Sequence, residues 1–176
     1  MNITRQKGVS LLEVLIAVLI LSVGLLGLGG LQVRALKSSN DAHFRTVASL
    51  LAADLGDRIR INPEGVALAA YEISETQSTS ICENTAPKLC TENNTCSASE
   101  LATFDLYQIA CGVTNGSDKS LGMKNLLPSA TLSVACTGGS CNANKEHIIT
   151  LKWEQTDNQD ADNAVQIRTL VWSVLP

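Results

Sequence analysis

A carboxylate stands where an apolar segment begins. Glu13 immediately precedes 20 uncharged residues, Val14 to Val33, and Arg34 closes the run. At ~1.5 Å per helical residue the run covers about 30 Å, the thickness of a hydrocarbon core. An unpaired carboxylate at its edge costs several kcal/mol or takes up a proton, so Glu13 calls for a cationic partner. Cutting the chain after Gly8 would supply one, because the new α-amine of Val9 would lie about one helical turn from Glu13. That amine can face its own Glu13 or, in a packed bundle of such helices, the Glu13 of a neighbour. In the competing reading Glu13 sits at headgroup level beside Lys7, exposed and without a task; charge alone does not choose between the two.

Sulfur forms the second reactive set. Cys82, Cys90, Cys96, Cys111, Cys136 and Cys141 all lie in the C-terminal two-thirds of the chain, behind the apolar segment. That placement reads as an exported domain in an oxidising compartment, with an even count that permits three disulfides. Zinc is the rival reading, and it is disfavoured by the absence of CxxC, by irregular spacings and by the sequence distance between His43 and His147. Cys136 and Cys141 flank Thr137-Gly138-Gly139-Ser140, a turn whose glycines accept positive φ, so chain reversal is expected to pair these two. Cys82, Cys90, Cys96 and Cys111 then allow three pairings, with a preference for one that ties the loop to a helix at Cys111.

Other catalytic or ligand-binding patterns are scarce. The chain has no GxSxG, HExxH, P-loop or GxGxxG, and no cysteine stands in a nucleophile's sequence context. His147 opens an apparent strand and is read as a surface residue. The run Asp157 to Asn163 gathers oxygen ligands that suit calcium, but it lacks the EF-hand glycine and terminal glutamate, and a solvated hairpin turn is the preferred reading. No cofactor and no enzymatic activity are expected. The formal charge of −4, which loss of Arg5 and Lys7 would take to −6, gives no general attraction for nucleic acid. Six aromatic residues, Phe44, Tyr71, Phe104, Tyr107, Trp153 and Trp172, are few for a base-stacking site.

The elements that carry these groups follow from periodicity. Arg5 and Lys7 keep the N-terminus cytoplasmic and place everything after Arg34 outside. An ordinary cleaved signal, with Val33-Arg34-Ala35 as its cleavage pattern, is the alternative; the apolar core is too long for it and Glu13 too close to the core. Beyond the membrane, Leu36, Asn40, Phe44, Val47, Leu51, Leu55, Ile59 and Asn62 recur every three to four residues, so one helix should run from about residue 10 to 61 and end at Asn62-Pro63. Residues 64–97 are polar and read as loop. Ser97 and Glu100 have capping-box spacing before Leu101, Phe104, Tyr107 and Cys111, which predicts a second helix ending near Gly112. Alternation over 130–136, 147–153 and 165–172 predicts three strands. The expected fold is α+β: a long N-terminal helix, transmembrane in its first half, packed against a C-terminal antiparallel sheet.

The stretch from Lys7 to Gln32, KGVSLLEVLIAVLILSVGLLGLGGLQ, resembles the class III leader and helix of type IV pilins. With Asp54 to Pro63, DLGDRIRINP, it resembles the minor pilins of the PilV type, the pilus modification proteins; Val9 stands where the common pattern has Phe. The resemblance implies a pilin-like fold, a leader over residues 1–8, a transmembrane half over 9–33 and an exported domain over 34–176. It implies cleavage between Gly8 and Val9 by a prepilin peptidase, N-methylation of Val9, and a role for Glu13 in assembly. Implied partners are the major pilin, other minor pilins, the inner-membrane assembly platform and inner-membrane lipid. The implied setting is the inner membrane, with a periplasmic C-terminal domain that enters the pilus at the cell surface. The implied function is type IV pilus assembly, initiation or modification, with consequences for adhesion and twitching; a type II secretion pseudopilin, or an adhesin displayed on the pilus, is the alternative.

Overall fold

No helix-breaking proline occurs before Pro63, and the chain uses that freedom in one element. In the computed structural model, which describes residues 10–83, 85–90, 94–112, 114–115, 118–119, 121–156 and 165–176, helix α1 spans Leu11–Ile61, 51 residues. Gly8, Val9 and the Asp157–Asn163 run lie outside the described residues. Contacts divide the chain into two units, Met1–His43 and Phe44–Pro176.

In the first unit the described residues are helical from Leu11 onward, and the large apolar side chains from Leu11 to Leu36 are exposed. Fully burying such a side chain is worth about 1.5–3 kcal/mol, so a row of them facing outward suits a helix solvated by lipid. Among the described residues, α1 is the one helix long and apolar enough to cross a membrane. Ser22 donates its hydroxyl to the carbonyl of Leu19 at 2.8 Å, which satisfies it without water.

In the second unit, the end of α1 buries Ala48, Ala52, Leu55 and Ile59, with Phe44, Val47 and Leu51 packed alongside. The expected stripe is thus present but centred on two alanines that large-residue periodicity does not register. Small side chains let the sheet approach closely: at Gly56 a Cβ would already lie 3.5 Å from the indole nitrogen of Trp172.

Pro63 ends α1 and also opens helix α2, Pro63–Ala67, with Asn62 as its N-cap, accepting from the Gly65 amide at 3.1 Å. Nor is the following stretch all loop. Helix α3, Glu75–Ser80, starts on a capping box of Ser74 and Gln77; the Ser, Thr and Gln content that argues for loop also supplies helix caps. Helix α4, Ala98–Cys111, carries the capping box of Ser97 and Glu100, and Gly112 at φ 76° ends it. The Ser97 amide, which donates to the Glu100 carboxylate at 2.8 Å, is the main cause that holds its pKa below the usual value, and the charge of Lys88 adds to it.

A short pair, β1 (Thr114–Asn115) and β2 (Asp118–Lys119), and helix α5 (Met123–Leu126) lead to the main sheet. Its strands β3 (Thr131–Cys136), β4 (His147–Thr156) and β5 (Val165–Val174) are antiparallel in the order β3-β4-β5. Leu132 pairs with Leu151 and Val134 with Ile149, and these four face the core. The outer side of β3 is covered by paired backbone bonds between Ile73 and Val134 and by the Ser78 hydroxyl, which accepts from the Leu132 amide at 2.9 Å. The architecture is the expected one, a long N-terminal helix packed against a C-terminal antiparallel sheet.

His147 is not a surface residue: it is fully buried. The period-2 pattern of Ile149, Leu151 and Trp153 extends back one step to place it on the inner face, opposite Cys136 and Val174.

Gly122 permits a very close backbone approach, since a Cβ there would fall 2.2 Å from the Gly112 nitrogen and 2.4 Å from the Cys111 carbonyl carbon. Backbone cannot yield as a flexible side chain does. Gly122→Ala is therefore expected to destabilise the domain by at least about 2 kcal/mol, read as a lowered urea midpoint with unchanged m-value.

Candidate functional site

Glu13 lies in the first turn of α1, where a negative charge complements the helix dipole. Its own amide donates to the Ser10 carbonyl at 3.0 Å, and among the described residues its carboxylate has no partner. Around it Leu11, Leu12, Val14, Leu15 and Ile16 are all exposed. A carboxylate in that apolar collar is placed to pair with a cation or with the amine of another chain.

The sulfurs are joined as Cys82–Cys111, Cys90–Cys96 and Cys136–Cys141. The first pair ties the turn after α3 to the last residue of α4 across 29 positions, for which loop-closure entropy is worth about 3.5 kcal/mol; the 5-position pair is worth about 2. Cys136–Cys141 closes the turn between β3 and β4, where Gly138 and Gly139 adopt φ 75° and 105°. The Lys145 ammonium donates to the Gly138 and Ser140 carbonyls, each at 3.0 Å, and braces the same turn.

A polar cluster that the sequence pattern does not announce sits where α1, α2 and α4 meet. Arg58, half-buried, donates to Asp54 at 3.0 Å, to Asp105 at 2.9 Å and to Gln108 at 2.8 Å. Asp105 is buried on the inner face of α4, and its second oxygen accepts from the Tyr71 hydroxyl at 2.7 Å. Asn62 donates to the Tyr71 oxygen at 3.2 Å and to the Ala98 carbonyl at 2.8 Å. Gly65 leaves room for this amide, since a Cβ there would come within 2.4 Å of the Asn62 side-chain nitrogen. Burial pushes the Arg58 pKa down, but hydrogen bonds and charge from Asp54 and Asp105 outweigh it and leave the guanidinium more firmly protonated. Burial first, and the bond to Asp105 second, push the Tyr71 phenol well above its ordinary value. Asp54 and Arg58 show it locally by their spacing of four, and the aspartate at Asp105, between Phe104 and Leu106, is its distant signal in the sequence. Every member has an assigned partner, which marks the cluster as a structural joint.

Two family models match the chain. The prokaryotic N-terminal methylation motif matches residues 3–29, and the family described as Type IV pilin Tt1218 matches residues 30–107. The second match contains Arg58, Tyr71 and Asp105 and stops before the main sheet. No curated protein and no solved structure matches the chain.

The Tyr71 phenol has a signed consequence. Its pKa is raised on folding, so its contribution is complete below the unfolded value of about 10 and is lost as pH rises from there toward the folded value. Above pH ~10 the wild-type unfolding free energy should fall faster than that of Tyr71→Phe, by up to about 1.4 kcal/mol per pH unit. At pH 7 Tyr71→Phe should be less stable by about 1–2 kcal/mol, because Asp105 and Asn62 each lose a partner. Urea denaturation of both proteins at pH 7, 10 and 11 checks both statements.

Proposed function

The chain is a type IV pilin-like protein with a class III prepilin N-terminal methylation motif, and from that premise we propose that it acts as a minor pilin in pilus assembly, initiation or modification. The observation that carries the proposal is Glu13, a carboxylate without a partner among the described residues, at the start of an exposed apolar helix. In lipid such a charge is retained only where something pairs with it. The methylation-motif match over residues 3–29 spans Gly8, Val9 and Glu13 and supports a division into a leader over 1–8, a membrane half over 9–33 and an exported domain over 34–176.

The assembly step follows from charge and solvent. Prepilin peptidase cuts between Gly8 and Val9 and frees an α-amine, which is then methylated. While the subunit is in the inner membrane, its exposed apolar residues are matched by lipid tails. When helices of neighbouring subunits pack together at the assembly platform, the Glu13 carboxylate of one meets the Val9 amine of another, and a pair that is costly singly in lipid is neutralised between chains. The exported domain, held by α1 and crosslinked by three disulfides, is then displayed beside the major and other minor pilins.

Intact-mass measurement of membrane-extracted protein should find a chain that begins at methylated Val9; a start at Met1 or Leu36 contradicts the processing step. A bulky residue at Gly8 should leave an uncut chain anchored by the same apolar run yet missing from sheared filaments. Glu13→Leu should leave expression and membrane insertion unchanged and should sharply reduce co-isolation with the major and other minor pilins. Undiminished recovery of Glu13→Leu in sheared filaments refutes the pairing.

A further inference from the structure

The mouth of the β3–β4 turn brings together three groups that are metal ligands by type. The sulfurs of Cys136 and Cys141 and a ring nitrogen of His147 lie within 4.8 Å of one another. Cys136 and His147 are register partners on adjacent strands, so the strand ladder rather than the turn sets their spacing.

His147 supplies the second, independent observation. It is fully buried, its Nδ1 lies 3.0 Å from the Lys145 carbonyl, and its Nε2 has no hydrogen-bond partner among the described residues. When Nδ1 carries the proton and donates it to that carbonyl, Nε2 presents a bare lone pair. A backbone carbonyl that fixes one ring nitrogen so that the other can ligate is the usual outer arrangement of a metal-binding histidine. An unpartnered buried nitrogen is otherwise destabilising.

We propose that, once the Cys136–Cys141 bond is reduced, Cys136, Cys141 and His147 form a site for one Zn²⁺ ion per chain, with solvent in the fourth position. A tetrahedral site with bonds of about 2.0–2.3 Å has ligand-to-ligand edges of about 3.3–3.8 Å, within the span already present. Opening the site takes a dithiol reductant: it gives two electrons and two protons to the S–S bond, yields two thiols and closes to its own disulfide. Binding Zn²⁺ then releases the two thiol protons to solvent. Of the three disulfides this one encloses the fewest residues, so its loss relaxes the unfolded chain least. The Lys145 bonds to Gly138 and Ser140, together with the β3–β4 ladder, keep the sulfurs near His147 after the bond opens. Oxidised, the same sulfurs are spent on each other, so the turn alternates between a crosslink and a metal clasp.

The test uses the full chain in detergent, with Co²⁺ as an absorbing probe for the zinc site, before and after reduction by a dithiol. Expected is a sulfur-to-cobalt charge-transfer band that saturates at one ion per reduced chain, is displaced by Zn²⁺ and is absent from the oxidised chain. Cys136→Ser/Cys141→Ser should abolish the band, and His147→Ala should weaken binding by about 100-fold or more. Cys90→Ser/Cys96→Ser should leave it unchanged. Because His147→Ala removes a core residue, far-UV circular dichroism accompanies each titration, and the turn variant Cys136→Ser/Cys141→Ser decides the matter if His147→Ala unfolds. The proposal is overturned by no cobalt binding to a folded reduced chain, by binding that survives Cys136→Ser/Cys141→Ser, by equal binding to the oxidised chain, or by loss of the sheet signal on reduction, since the site requires the paired hairpin.

Discussion

Arg58 carries a charge that cannot be given up, at a point where α1 has already turned its apolar face toward a core. A half-buried guanidinium is tolerated only with its hydrogen-bond donors occupied, and α1 by itself offers just Asp54. The remaining acceptors come from α4, through Asp105 and Gln108. Asp105 in turn needs a second donor and finds it in Tyr71; Asn62, capping α2, closes the set on Tyr71 and the first residue of α4. One unyielding charge therefore dictates the relative placement of three helices and the turn that carries Tyr71. Breaking such a set from one side strands a charge, at a cost of about 3–5 kcal/mol.

The sheet depends on that placement less through hydrogen bonds than through packing. With α1 held, its stripe of Ala48, Ala52, Leu55 and Ile59 offers a shallow surface, and the inner residues of β3, β4 and β5 fill it with Leu132, Val134, Ile149, Leu151, Trp153 and Val174. Close packing of this kind is as sensitive to one added methyl group as to one removed, which is why Gly56 is small where Trp172 and Val174 of β5 are bulky. The Cys82–Cys111 bond reinforces the same joint by tying the turn after α3 to the end of α4. Polar connection, apolar packing and crosslink all converge on α4.

The same helix that carries Arg58 begins among lipid tails. Its first part has no core to bury its leucines and isoleucines, and the membrane is the medium that makes their exposure tolerable. Two opposite demands on one helix are reconciled by composition: continuous apolar residues before Arg34, a narrow apolar stripe after Phe44. In a type IV pilin-like chain this is how one element serves both as an anchor and as the spine of a domain.

Local chemistry was enough for the features that depend on near neighbours. The apolar run to Val33, the capping box at Ser97 and Glu100, the strand alternation around Ile149 and Leu151, and hence the α+β arrangement were all legible, because each rests on residues within a few positions of one another. Tertiary structure decided what depends on distant partners. Residues 64–97 read as loop because short helices such as α2 and α3 have too few turns to show a period, and their stability comes from docking. His147 read as surface because its position at a strand's first residue hides which face it joins until Cys136 and Val174 are set opposite. Which of Cys82, Cys90 and Cys96 reaches Cys111 was open because all three lie in the same polar stretch; the docking of α3 beside β3, and of α4 beside α2, brings Cys82 within a Cα separation of 5.5 Å. Sequence alone determined what each segment could be, since periodicity and capping are local; the choice of partner for each buried charge and sulfur waited on the fold, since only the fold brings residues 47 or 29 positions apart into contact.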